Sequence, residues 1–185
     1  MFDLGTSFIA SVERDPDVLA IVDRDVRLSY RKWYARISAL VTALDAAGLR
    51  TGDHLVTVLQ NRWEAATMHW ACQFAGIIVT PSNWRAKADE IDFYLENSEA
   101  KAIAYQDISA SAVAQSKNAV HLCRIALDDA DSGALAFGDM IAETGCEAEP
   151  RASSDDWSVM LYTSGTTSRP KGVPRRHRAE RHAAV

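Results

Sequence analysis

The chain has 185 residues, of which 48% are hydrophobic and 24% charged, a balance typical of a folded globular domain and not of a disordered chain. It contains no run of eighteen consecutive apolar residues, so we expect no membrane-spanning helix. The three cysteines, Cys72, Cys123 and Cys146, are too widely spaced for a disulfide framework or a zinc site and indicate free thiols in a cytoplasmic protein.

Charge is unevenly distributed along the chain. The formal net charge is −5, but the segment from Arg169 to the end carries six basic residues and one acid, which leaves −10 on the remainder. A basic end of this kind occurs in proteins that bind nucleic acid. The run has no interleaved aromatic residues, so we favour a solvated face, or a segment paired with acids outside this sequence, and expect no nucleic-acid binding.

Predicted strands and helices alternate along the chain. The strands are 20–23, 26–28, 55–59, 77–79, 102–105, 122–127 and, as the last, 157–162. The helices run from Ser29 as N-cap through Trp33, Ile37, Leu40 and Leu44 to Gly48, from Trp63 through Ala66, Trp70 and Phe74 to Gly76, and over 88–97 with Ile91 and Leu95 inward. This alternation predicts an α/β fold, a mainly parallel sheet flanked by helices.

Local signals add detail to this pattern. Asn61 and Glu64 have the spacing of a capping box at the start of the second helix. Residues 109–116, rich in serine and alanine, fit either a helix or a loop. Residues 143–156 are polar, with a glycine and a proline, and predict a linker that leads into the chemically most distinctive segment.

That segment, Leu-Tyr-Thr-Ser-Gly-Thr-Thr-Ser-Arg-Pro-Lys-Gly-Val at 161–173, carries the residue types that bind a polyphosphate. Gly165 lets backbone N–H groups approach phosphate oxygens, because it has no side chain. Hydroxyl groups on both sides donate further hydrogen bonds, and Lys171 adds a positive charge. The candidate phosphate-binding residues are Thr163, Ser164, Gly165, Thr166, Thr167 and Lys171.

Other chemistries fit this sequence less well. A Walker A loop, G-x-x-x-x-G-K-[ST], is not matched, because Pro170 stands where its second glycine belongs and Gly172 where Ser or Thr belongs. The histidines have no metal-ligand spacing, and Asp128 with its acidic neighbours is interpreted as a polar turn after a strand. A functionless Ser/Thr-rich surface loop is the alternative for 161–173, and the length of the motif argues against it.

The segment closely resembles the phosphate-loop signature of the adenylate-forming superfamily, which comprises acyl-CoA synthetases, adenylation domains and luciferases. Further stretches resemble elements of that family in the same order; they are 28–33, 47–53, 61–64, 75–81 and 89–98. The resemblance covers most of the chain. It implies that residues 1–185 are the N-terminal portion of the large AMP-binding domain, with the phosphate loop at 162–173 and an incomplete, truncated C-terminal end.

What the resemblance implies is two-step chemistry in the full-length enzyme. ATP, with Mg²⁺, activates a carboxylic acid of fatty or aromatic acid metabolism as an acyl-adenylate, and coenzyme A then takes the acyl group. The loop residues from Thr163 to Thr167, with Lys171, handle the β- and γ-phosphates. No catalytic residue is expected in this chain, because the adenine and ribose elements and the catalytic lysine follow the loop in the family, so the isolated chain is expected to be inactive.

The chain also departs from the family pattern. Ser168 stands where the family usually has glycine, and Pro174 permits only an extended stretch or a first helical turn. His177 falls where the family often has a histidine, and a solvated residue among arginines is the other interpretation. The alternatives to a ligase are a non-catalytic nucleotide- or polyphosphate-binding module or remnant, and a basic-tailed protein that binds RNA or DNA.

Overall fold

The computed structural model describes residues 3–142, 146–163 and 169–183. Its helices are α1 (Leu4–Arg14), α2 (Tyr30–Ala46), α3 (Trp63–Ala75), α4 (Ala88–Asn97), α5 (Asp107–Gln115), α6 (Phe137–Met140) and α7 (His177–Ala183). Its strands are β1 (Leu19–Asp23), β2 (Val26–Ser29), β3 (His54–Val58), β4 (Ile78–Pro81), β5 (Ala102–Tyr105), β6 (Cys123–Ala126), β7 (Leu135–Ala136), β8 (Trp157–Thr163) and β9 (Lys171–Arg176).

The strands form a hairpin and a larger sheet. β1 and β2 pair antiparallel. Over the described residues the larger sheet is seven-stranded in the order β7-β6-β5-β3-β4-β8-β9, and every pair in it is parallel except β8–β9. The predicted α/β fold with a mainly parallel sheet flanked by helices is therefore confirmed.

Helices cover both faces of this sheet because its central strands are apolar on both sides. In β3, Leu55 packs with α1, α2, α3 and α6, whereas Val56 packs with α4 and α5 on the opposite face. Both residues are fully buried, as expected for a parallel strand between two helical layers. This arrangement makes three layers and places the larger core under α2 and α3.

α2 forms as its sequence predicts. The Ser29 hydroxyl accepts a hydrogen bond from the Lys32 N–H at 3.4 Å, which caps the first turn. Ile37, Leu40 and Leu44 are fully buried. Gly48, at φ +92°, follows the end of the helix in the left-handed conformation that glycine adopts readily.

The capping box predicted from Asn61 and Glu64 is wrong. The N-cap of α3 is Arg62, which makes no side-chain cap hydrogen bond. The Trp63 N–H at the start of the helix is instead bound by the Asp23 carboxylate, at 2.9 Å, from the end of β1. A residue forty positions away thus replaces the local cap, and sequence spacing cannot reveal such a tertiary contact.

The prediction that 157–162 is the last strand is also wrong, because β9 follows it. β9 lies at the edge of the sheet, where only one side needs hydrogen-bonding partners, so it tolerates Pro174 and several charges. Those residues hide the period-two apolar pattern from which strands are predicted. The extended backbone expected at Pro174 is confirmed.

Residues 109–116, which fitted helix or loop, lie mostly within α5. The predicted linker 143–156 is irregular where it is described, but it packs against α2. The Ala148 N–H donates to the Ser38 hydroxyl at 3.0 Å, and the Tyr34 hydroxyl donates to the Ala148 carbonyl at 2.7 Å. Arg151 also forms an ion pair with Asp45 at 2.5 Å. Contacts with α2 therefore fix the position of the segment that leads into β8.

Candidate phosphate-binding site

The candidate phosphate loop connects the ends of β8 and β9. β8 is parallel to β4, so the loop leaves from the carboxyl edge of the parallel strands, where open α/β sheets bind their ligands. Ser164, Gly165, Thr166 and Thr167 lie outside the described residues, as does Ser168. Thr163 and Lys171 are described, and they are the last residue of β8 and the first of β9.

The antiparallel register places Thr163 directly opposite Lys171. Opposed residues of an antiparallel pair project to the same face, so the two side chains lie on one face of the hairpin. The Thr163 Oγ1 is 3.5 Å from the Lys171 carbonyl oxygen, and both residues are exposed. Two of the six predicted phosphate-binding residues are thus brought together at the base of the loop.

The opposite face of the hairpin packs on α4. Tyr162 and Gly172 are also register partners, and a Cβ added to Gly172 would lie 3.5 Å from the Tyr162 ring. The Tyr162 ring contacts those of Tyr94 and Phe93, with centroids 4.7 Å and 5.9 Å away. Its hydroxyl donates to Asn97 Oδ1 at 2.8 Å. This contact could not be predicted from the sequence, because residues 93 and 94 have the spacing of any helix face and that spacing does not show which element packs on it.

Apolar side chains continue the face that carries Thr163 and Lys171. Leu161 and Val173 are register partners two residues further from the loop, so they share that face. They are 37% and 43% exposed. An exposed apolar pair therefore borders the exposed hydroxyl and ammonium groups.

His177 begins α7 and is fully buried, so its interpretation as a solvated residue is wrong. Its Nδ1 accepts a hydrogen bond from the Leu4 N–H at 3.3 Å, which ties α1 to the end of β9. Burial lowers the pKa of His177 below its ordinary value, and the nearby carboxylates of Asp3 and Asp156 only partly offset this effect. The ring is therefore neutral near pH 7.

The basic segment after the loop is paired within this chain. Arg175 forms an ion pair with Glu180, and Arg178 with Asp155 at 2.6 Å. The guanidinium of Arg176 lies 4.3 Å from the Trp157 ring centroid and shields that half-exposed tryptophan. The sequence left two interpretations open, a solvated face or acidic partners outside the sequence, and these partners lie inside it. They also leave fewer cations for phosphates of a nucleic acid.

Away from the phosphate loop, a cavity of about 350 Å³ lies beside the β1–β2 hairpin and the start of α3. Its central cation, Arg62, binds Glu64 through two contacts of 2.7 Å and Asp128 at 2.7 Å. Asp128 also accepts the Asp107 N–H at 3.0 Å, which confirms its structural role after β6. Burial opposes ionisation of Asp128, but the N–H and Arg62 hold its pKa below the usual value. These charges satisfy one another.

Neither a metal-binding cluster nor a membrane-spanning helix is found among residues 3–142, 146–163 and 169–183. Within these ranges, no group of three or more His, Cys, Asp or Glu side chains is arranged to hold a metal ion. No helix in the same ranges combines the length and apolar character needed to cross a membrane. Of the cysteines, Cys72 is buried, and burial raises the pKa of its thiol to about 12.

Comparisons with known proteins agree with this fold. A methyl-dioxo-octahydro-indenyl-propanoyl:CoA ligase of Rhodococcus jostii is 31% identical over an alignment 185 positions long. The alignment covers 88% of this chain and 35% of the relative. The N-terminal domain of FACL13 from Mycobacterium tuberculosis is 26% identical with a TM-score of 0.84, over 96% of this chain and 45% of that one. An anthranilate CoA ligase in complex with anthranoyl-AMP shares the fold, with a TM-score of 0.87 at 21% identity over 95% of this chain and 35% of that one.

The extent of these matches sets what they show. The chain spans about a third of the length of the curated relatives it matches, 35% and 32% for two CoA ligases. The family model described as AMP-binding enzyme matches residues 8–184, nearly the whole chain. The chain therefore belongs to the AMP-binding enzyme family.

Proposed function

We propose that this chain is the N-terminal, phosphate-binding part of an acid–thiol ligase of the acyl-CoA synthetase type. The observation that carries the proposal is the β8–β9 hairpin, which sets Thr163 opposite Lys171 at the carboxyl edge of the parallel strands. Membership of the AMP-binding family supports ATP as the polyphosphate. The proposed binding residues are Thr163, Ser164, Gly165, Thr166, Thr167 and Lys171, of which the four central ones lie outside the described residues.

In the proposed reaction, a carboxylate oxygen of the acid attacks the α-phosphorus of ATP, and the bond to the β-phosphate breaks. The products are an acyl-adenylate and pyrophosphate. The thiolate of coenzyme A then attacks the acyl carbon, and AMP leaves. The role of Lys171 is to neutralise negative charge on the phosphates as pyrophosphate departs, which its exposed ammonium group, on the same face of the hairpin as Thr163, is suited to do.

Mg²⁺ fits this scheme as an ion that arrives with the nucleotide. It prefers phosphate oxygens and water, and ligases that cleave ATP need no dedicated protein cage for it. We further propose a reaction on an acid of fatty or aromatic acid metabolism, in line with a long-chain-fatty-acid–CoA ligase and a salicylyl-CoA synthase among the relatives. We also propose that the reaction is cytoplasmic. The 185-residue chain is proposed to bind polyphosphate without forming the adenylate.

Titration calorimetry with tripolyphosphate and ATP tests the proposal. We expect Lys171→Ala to weaken binding about 10- to 100-fold, because a charge-assisted hydrogen bond is lost. Lys32→Ala removes an exposed lysine from α2 and serves as the matched control, with affinity unchanged. Equal affinities of the two variants would contradict the proposal.

The same titration separates the proposed function from nucleic-acid binding. Affinity for single-stranded RNA that falls steeply with salt, without any affinity for ATP, would favour a basic-tailed RNA-binding protein. Adenylate formation by the isolated chain, measured as exchange of labelled pyrophosphate into ATP, would contradict the proposal that this chain binds without catalysing.

A further inference from the structure

Both arms of the β8–β9 hairpin contact the same helix, α4. The outgoing arm is β8, and the returning arm runs from Arg169 into β9. On the outgoing arm, Tyr162 packs on two aromatic rings of α4 and donates its hydroxyl to Asn97 at 2.8 Å. On the returning arm, the Arg169 guanidinium lies 5.7 Å from the centroid of the Phe93 ring, within the range of a cation–π interaction.

These contacts lie behind the candidate ligand-binding face. Side chains alternate between the faces of a strand, so Tyr162 points toward α4 while its neighbour Thr163 points away from it. Gly172 and Lys171 alternate in the same way. The absence of a side chain at Gly172 leaves room for Met160 and the Tyr162 ring, since a Cβ there would lie 2.9 Å from the Met160 sulfur. An anchor on one face can therefore hold the other face in place without occupying it.

The charge of α4 adds a reason for this division of labour. Its exposed side includes Asp89, Glu90 and Glu96, which line a cavity of about 310 Å³ with Arg169. Carboxylates there repel phosphate groups, so a polyphosphate is directed to the opposite side of the hairpin. α4 is thus unsuited to bind the phosphates itself but suited to hold a cation of the returning arm.

We infer that α4 is the positioning element of the phosphate loop, with Tyr162, Asn97 and Phe93 as positioning residues that fix the two arms and so hold Thr163 opposite Lys171. The inference rests on the proposed function for the identity of the ligand, a polyphosphate, whereas the contacts between α4 and the hairpin do not depend on that function. The Tyr162–Asn97 hydrogen bond is the contact through which it is tested, because it can be removed from either side.

The first experiment measures amide hydrogen exchange by NMR in the 185-residue chain. Tyr162→Phe removes only a hydroxyl, and Asn97→Ala removes its acceptor from α4 without touching the hairpin. We expect exchange at the β9 amides that are hydrogen-bonded to β8 to quicken about two- to tenfold in both variants. Alanine favours helix more than asparagine does, so a loss of protection in β9 upon Asn97→Ala cannot come from a weakened helix.

Tyr34→Phe is the matched control. It removes a hydroxyl that donates to the Ala148 carbonyl at 2.7 Å, a bond of the same kind between α2 and the segment before β8. Exchange in β9 is expected to stay at the wild-type rate in this variant. If both hairpin variants also keep the wild-type rate, or if Tyr34→Phe changes β9 as much as they do, the inference is overturned.

The second experiment titrates the same proteins with tripolyphosphate. We expect Tyr162→Phe and Asn97→Ala to bind about two- to tenfold more weakly than wild type, and Tyr34→Phe to bind equally well. If β9 exchange responds as expected but wild type binds no tripolyphosphate, the anchoring role of α4 stands and the proposed function fails. If binding is intact in both hairpin variants although exchange has quickened, α4 does not position the ligand-binding residues and the inference is overturned.

Discussion

At the scale of single residues, His177 connects the beginning of the described chain with the end of the β8–β9 hairpin. Its Nδ1 accepts the Leu4 N–H, so the proton of the neutral ring sits on Nε2. That Nε2 is buried and has no hydrogen-bond partner among the residues described. A second proton would have to enter at Nδ1, against the Leu4 N–H, and protonation therefore opposes this contact.

The folded chain is predicted to lose stability below about pH 6.5. The pKa of His177 is lower in the folded state than its ordinary value of about 6.5, so the unfolded chain binds the proton more readily. This contribution to stability is complete above pH 6.5 and is lost as the pH falls below it. Burial also lowers the pKa of His69, which adds to the effect with the same sign, while Asp3, Asp156 and Glu180 reduce it for His177.

Urea unfolding at pH 7.5, 6.5 and 5.5 measures this dependence. His177→Asn supplies an uncharged acceptor near the position of Nδ1, so we expect the free energy of unfolding to vary less with pH in this variant. The residual slope belongs to His54 and His69, whose pKa values burial also lowers. An equal slope in wild type and variant would show that His177 does not titrate with folding.

At the scale of elements, helix ends depend on residues that lie far away in the sequence. Gly76 ends α3 in the left-handed conformation at φ +71°, and a Cβ there would lie 2.8 Å from Thr51 Cγ2. Thr51 also donates its hydroxyl to the Ala75 carbonyl at 2.9 Å. Gly76 therefore serves both the backbone turn and the close approach of the segment before β3.

Gly76→Ala is predicted to destabilise the chain by about 1–2 kcal/mol from the left-handed backbone alone, with the contact to Thr51 adding to that cost. Gly138→Ala is the matched control, because Gly138 lies in α6 with no positive φ and open space around its Cβ position. That substitution is expected to be neutral or to stabilise by up to about 1 kcal/mol. Guanidinium unfolding of both variants measures the difference, and equal effects would contradict the reasoning.

The basic segment illustrates the same point for charge. From composition alone, the cations from Arg169 onward suggested partners outside the sequence. In the folded chain, the segment 153–157 and α7 supply Asp155, Trp157 and Glu180 as partners. Charge patterning along the sequence cannot show the pairing of Arg178 with Asp155, because the antiparallel return of β9 is what brings these two residues together.

At the scale of the whole molecule, the β8–β9 hairpin carries apolar side chains that are partly exposed in the isolated chain. β8 is hydrogen-bonded on both sides, by β4 and β9, so it presents no open strand edge. β9 is the edge strand, and its Pro174 and basic residues discourage further strand pairing. The exposed pair Leu161 and Val173 is the apolar feature that remains on this part of the sheet.

Replacement of both Leu161 and Val173 by threonine is predicted to reduce self-association of the chain while leaving β-strand propensity intact. Val18→Thr with Val22→Thr is the control, since those valines are 55% and 56% exposed and lie just before β1 and within it. Sedimentation velocity over a range of protein concentrations provides the measurement. If the control pair lowers association as much as the hairpin pair, the apolar patch on β8–β9 has no special role.

The candidate site could be predicted only in part. Residues 161–173 form a long motif in which residue types alone indicate phosphate chemistry, and Thr163 and Lys171 lie together as that chemistry needs. The contact of Tyr162 with Asn97 and the burial of His177 could not be predicted, because they depend on which elements pack against the hairpin. Helical spacing shows that a residue is on one face of α4 but not what covers that face.

The sequence by itself determined the alternation of strands and helices, because hydrophobic periodicity and end signals such as Ser29 and Gly76 act within a few residues. It also predicted a phosphate loop, and the resemblance that it carries indicated the family to which the chain belongs. Only the tertiary structure decided the edge strand β9, the cap that Asp23 provides for α3, and the pairing of Arg178 with Asp155. Each of these joins residues distant in the chain, and their energies arise from burial and geometry that exist only once the sheet has formed.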